Sequence, residues 1–140
     1  MNYKVIGAYP TSLDNNQLKS YVSVLLNIAA VDGISKSEMS LIEQLAKDAN
    51  TELELLEECI NSYKTFDMSK LPDYNKQWAY CILRDAILIA DCDNGISDDE
   101  KTYLRKIANF AGIESDFDEV LTITLSQKQS AEKWEALLSE

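Results

Sequence analysis

The residues of this chain best suited to chemistry are carboxylates gathered at two turns. Asp91, Asp93, Asp98, Asp99 and Glu100 put five acids into ten residues, and an earlier turn carries Asp32 and Glu38 with Lys36 between them. Calcium and magnesium are hard cations that take carboxylate oxygens, with loop carbonyls completing the shell. The spacing is nevertheless not that of an EF-hand loop. With Asp91 at position one, Asp93 falls at three, but Gly95 falls at five where the glycine of that loop stands at six, and Thr102 takes the place of the bidentate glutamate at twelve. A second reading of the same acids needs no metal. Ser35 with Glu38 and Ser97 with Glu100 have the spacing of capping boxes, and Asp98 and Asp99 suit the electropositive first turn of a helix.

Other chemistry lacks its parts. Histidine is absent from all 140 residues, so the commonest general base and zinc ligand is missing. Cys59, Cys81 and Cys92 form no CxxC pair, and their odd number argues against a disulfide framework. Cys92 lies among acids, which hold a thiol protonated and unreactive. No glycine-rich phosphate loop or Walker lysine occurs, and the carboxylates look solvated, without an apolar pocket to separate their pKa values. The expectation is a protein that is not an enzyme, with a small enzyme using paired carboxylates as the least favoured alternative. A formal net charge of −11 repels nucleic acid and anionic lipid, and attracts cations or a partner with a basic surface. The first residues, Met1 to Gly7, lack the apolar stretch of a signal peptide, and no run reaches the roughly 18 apolar residues of a membrane span. Together with the free thiols this reads as a cytoplasmic protein without membrane insertion, monomer or homodimer.

The elements that must position the acids are helical. Glycine (4) and proline (2) are scarce, and no segment alternates as a strand should. A first helix is expected from Thr11 or Ser12 to Ala30, with Leu18, Tyr21, Val22, Leu25, Ile28 and Ala29 on one face. A second follows the cap at Ser35, staples Ile34 to Met39, and buries Ile42, Leu45, Ala46 and Ala49. A third, capped near Asn50-Thr51, turns Leu55, Leu56, Cys59, Ile60, Tyr63 and Phe66 inward. Residues 67 to 72 link two halves, 12–66 and 73–138. The fourth helix, Asp73 to Ala90, has the widest apolar surface (Trp78, Cys81, Ile82, Leu83, Ala86, Ile89) and should be central. A fifth is capped by Ser97 and buries Tyr103, Leu104, Ile107, Ala108 and Ala111. A sixth, about Asp116 to Leu125, buries Phe117, Val120 and Leu121. A seventh, about Ser130 to Leu138, offers Trp134, Leu137 and Leu138. The expected fold is an all-α, compact single-domain bundle of about seven helices.

The two turns repeat one another. Residues 24–38 and 85–100 each run from an apolar helix end through an acidic turn to Gly-Ile-Ser and an acid three residues later, and Gly33 and Gly95 are 62 residues apart. Two copies are too few for an open solenoid and suit a closed pair of helical hairpins. The repeated string resembles the motif of the TerB (tellurite-resistance) family, Ala-x-x-Asp-Gly-x-(Ser/Asp)-x-x-Glu. Ala29, Asp32, Gly33, Ser35 and Glu38 match it in the first half, and Ala90, Gly95, Ser97 and Glu100 in the second. The second turn departs, having Asn94-Gly95 for Asp-Gly and one extra residue, with Asp91 and Asp93 flanking Cys92 at the change. The resemblance, covering about residues 12–125, implies two pseudo-symmetric halves and a role in tellurite resistance or stress response beside membrane-associated partners. It also implies an acidic surface for divalent cations, carried here by Asp32, Glu38, Asp91 or Asp93, and Glu100. The alternative is a helical interaction module that docks another protein without metal.

Overall fold

The computed structural model describes residues 9–93 and 95–139, and they form an all-helical bundle with no strand among them. Its helices are α1 (Asn15–Ala30), α2 (Lys36–Asp48), α3 (Leu53–Ser62), α4 (Lys76–Ala90), α5 (Asp98–Phe110) and α6 (Phe117–Leu138). Short 3-10 turns stand at Tyr63–Thr65, Met68–Asp73 and Glu114–Asp116.

Side-chain caps decide where several helices begin. α1 starts later than Pro10 suggests because Asp14 accepts from the Gln17 amide while the Gln17 side chain accepts from the Asp14 amide. α4 starts at Lys76 for the same kind of reason, with Asn75 accepting from the Trp78 amide. The cap expected for α3 at Asn50-Thr51 is not formed: α3 begins after Glu52, which makes no side-chain cap bond, and Asn50 instead turns the chain after α2 with a left-handed φ of 65°.

Two helices form the centre. Ten of the sixteen residues of α1 and ten of the fifteen of α4 are buried, which makes each a core helix and not a one-faced amphipathic one. They pack on one another; α2 and α3 lie against α1, and α5 and α6 against α4. The sequence placed α4 at the centre. α1 shares that position because Val24 and Leu26, outside its expected stripe, are buried as well.

A charged group sits inside this core. Asp85 is fully buried. One of its oxygens accepts from the hydroxyls of Tyr9 (2.7 Å) and Tyr21 (2.6 Å), and the other from Arg84 Nε (2.8 Å). Tyr9 stacks on Trp78 with ring centres 4.7 Å apart, and Trp78 Nε1 donates to the Thr11 carbonyl at 3.1 Å. The segment leading into α1 is thereby strapped across α1 and α4. Burial and then the Asp85 charge push the tyrosine hydroxyls far up, so both stay protonated donors.

Three further expectations change. The sixth and seventh helices are one continuous helix, since residues 126–130 hold no glycine or proline to break it. Trp134, Leu137 and Leu138 do not join the core; they are 64%, 62% and 79% exposed, because α6 runs on beyond the surface that α4 offers. Ile60 is also exposed, while Leu56 and Cys59 carry the buried face of α3.

Candidate functional site: an acidic cleft between two turns

The packing of α1 on α4 brings their C-terminal ends together, and with them the two acidic turns. Gly33 and Gly95 bend the chain at φ of 87° and 88°, left-handed values that a side chain rarely tolerates. Each turn then delivers its serine to the start of the next helix. Ser35 Oγ accepts from the Glu38 amide at 3.1 Å and Glu38 Oε1 accepts from the Ser35 amide at 2.9 Å. Ser97 and Glu100 repeat the arrangement with the same distances, 3.1 and 2.9 Å. Both capping boxes expected from the sequence are therefore formed.

Each serine hydroxyl also does a second thing, which spacing alone did not reveal. Having accepted from the amide of its own helix, it donates across to the acid of the other turn. Ser35 Oγ donates to Asp93 at 2.8 Å, and Ser97 Oγ donates to Asp32 at 2.8 Å. A hydroxyl has one proton to give and lone pairs to receive, so the two roles do not compete. The outcome is a cleft of about 420 Å³ lined by Asp32, Ser35, Glu38, Asp93, Ser97 and Glu100, with Gly33, Gly95, Ala90 and Ile96 completing its wall. Four of the five acids singled out from the sequence meet here.

Asp91 does not line it. Its carboxylate turns toward α6, where Lys128 Nζ donates to Oδ2 at 2.8 Å and to the Asp91 carbonyl at 2.6 Å. Asp93 thus faces the first turn and Asp91 faces Lys128. Asn94, beside the glycine, lies outside the described residues, as do Met1 to Ala8.

The electrostatics of the cleft are one-sided. Asp32 and Asp93 are exposed, but Glu38 and Glu100 are buried under them. Burial raises the Glu100 carboxyl above its ordinary value, and the charges of Asp32 and Glu38 add to this against the lowering effect of the Ser97 hydrogen bonds. Among the described residues no lysine or arginine lines the cleft. Cys92, on the Asp91–Asp93 turn, has its thiol raised by burial and by Asp93, with Lys128 opposing, which keeps it a poor nucleophile.

Among the described residues no three Asp, Glu, Cys or His side chains stand together as a ready-made metal cage. The donor set is all oxygen, the type that calcium and magnesium take and zinc does not favour. A second hollow, of about 610 Å³, lies between α1 and the 3-10 turns and holds none of the acids chosen from the sequence. Among the described residues no helix is long and apolar enough to cross a membrane.

The buried Asp85 cluster was not foreseen. Its signal was present: Asp85 falls on the same stripe of α4 as Trp78, Ile82 and Ile89, where a charge needs partners. Compared with known protein families, with curated proteins and with solved structures, the chain matches none.

Proposed function

We propose that this is a non-enzymatic, TerB-like protein of the tellurite-resistance and stress-response type, whose cleft takes a divalent cation, calcium or magnesium, between two pseudo-symmetric halves. The observation that carries this reading is the reciprocal bonding of Ser35 to Asp93 and of Ser97 to Asp32. It gathers Asp32, Glu38, Asp93 and Glu100 around one hollow, and among the described residues no basic side chain lines that hollow to balance them. A bound cation would supply positive charge beside Glu100, whose carboxyl is raised first by burial and then by the charges of Asp32 and Glu38. Asp91 is committed to Lys128, so its part in this reading is to hold the turn from outside. The same acidity suits a partner with a basic surface, in a membrane-associated stress complex or free.

Thermal unfolding tests the reading. A ligand bound only by the folded state stabilises it by RT ln(1 + [L]/Kd), about 2.7 kcal/mol at a hundredfold excess over Kd. Millimolar calcium or magnesium should raise Tm beyond what sodium chloride of equal ionic strength achieves, since screening alone helps a chain of net charge −11. Asp32→Asn combined with Asp93→Asn should remove the excess. If the wild-type protein gives the same Tm in both salts, cation binding is ruled out.

One observation favours the alternative, a helical interaction module without metal. Asp32 and Asp93 already have serine partners, Glu38 and Glu100 have backbone partners, and no three-ligand group is preformed among the described residues. On that reading the cleft is a staple between halves and the working surface lies elsewhere.

A further inference from the structure

We propose that the outer flank of α6 is a homodimer interface, on which α6 of a second copy packs antiparallel along Val120, Ile123, Gln127, Ser130, Trp134 and Leu137. These positions recur in steps of three and four, the repeat of a helix–helix seam. They lie beside the face that α6 turns to its own bundle, which is made by Phe117, Thr124 and Lys128, and Val120, half-buried against that core, stands at the border of the two. Ile123 is 49% exposed and Trp134 is 64% exposed, and Leu137 and Leu138 extend the same strip to the helix end. Two exposed apolar groups, Ile123 and the Trp134–Leu138 end, joined by the uncharged Gln127 and Ser130, are costly to leave in water and mark a contact surface.

The occupant follows from charge and register. In a chain where 26% of residues are charged, the stretch from Val120 to Ala131 has one charge, Lys128, and it is turned inward onto Asp91. A basic partner would find no carboxylate on that stretch. A second acidic copy can approach there without setting acid against acid, which it could not do at the cleft. The seam is also self-complementary, as a two-fold interface requires. Run antiparallel, Val120 meets the partner's Leu137, Ile123 meets the partner's Trp134, and Gln127 meets the partner's Ser130, each pairing occurring twice. Large side chains then face smaller ones, and the two polar positions share one layer. A parallel pairing would set tryptophan on tryptophan and bring the two acidic bundles side by side.

Sedimentation equilibrium across the micromolar range should give twice the chain mass of 15.8 kDa at the upper end. Ile123→Glu and Trp134→Lys, each at a position exposed in the monomer, should weaken association at least about tenfold with unchanged far-ultraviolet circular dichroism. Their combination should restore it, because the new opposite charges face each other only in the antiparallel register. On association Trp134 fluorescence should shift to the blue and escape iodide quenching, while Trp78 is buried throughout. A wild-type protein at chain mass throughout, or a dimer that survives both single substitutions, overturns the interface, and failure of the combined variant to recover overturns the register.

Discussion

At the scale of single residues, the serines of the two turns are the economy of the fold. Replacing either by alanine removes an N-cap, a loss of about 1 kcal/mol, together with the bond to the opposite turn. A double-mutant cycle separates the two effects. Ser35→Ala and Asp93→Ala should couple by about 0.5–1 kcal/mol, whereas Ser35→Ala and Asp14→Ala, at the far end of α1, should add independently. Equal coupling in both pairs would mean that the bond between turns contributes nothing. Glu100 gives a dependence on pH. Its carboxyl is raised above the ordinary 4.5 by burial first and by Asp32 and Glu38 second. The folded state therefore holds this proton more tightly than the unfolded chain, and stability falls as pH rises from below 4.5 through the raised value. Glu100→Gln keeps an oxygen for the Ser97 amide and carries no charge. The variant should melt above the wild type at pH 7 and lose that advantage in acid, and a lower Tm at pH 7 would show that the charge is favourable where it stands. Asp85 is the contrasting buried acid: both of its oxygens accept hydrogen bonds, from Tyr9, Tyr21 and Arg84.

At the scale of elements, α6 is held to α4 by apolar contact and by one cation. Lys128 donates to both the side chain and the carbonyl of Asp91, the residue that closes α4, and so places positive charge at the negative end of that helix. Lys128→Ala should cost about 1.5–3 kcal/mol, the range for hydrogen bonds to charged groups, and a loss below 0.5 kcal/mol in urea unfolding would mean that water replaces the lysine fully. The elements were also where the sequence was most legible. Ser35 and Ser97 named the starts of α2 and α5, because a cap is a local interaction between residues three apart. Asp93 and Asp32 were legible as acids but not as partners of Ser35 and Ser97, because that pairing depends on how α1 meets α4. Trp134 and Leu137 misled for the same reason: their spacing is that of a buried face, and spacing does not say whether a neighbouring helix reaches that far.

At the scale of the whole molecule, the two repeats share a single interior. α1 belongs to the first half and α4 to the second, yet each is buried chiefly by the presence of the other and of its flanking helices. The strap through Tyr9 extends this dependence, since Asp85, far along the chain, receives the hydroxyl of a residue that precedes every helix. The division into halves that the repeat suggests is thus a property of the turns and not of the core. A nascent chain feels this directly. Synthesis proceeds at roughly 5–20 residues per second, so α1 emerges seconds before α4 and in that interval has no surface able to cover both of its sides. Until α4 follows, the segment from α1 to α3 would be a sticky intermediate needing shelter, and a proteolytic cut between Tyr63 and Asp73 would yield two insoluble pieces in place of two small domains.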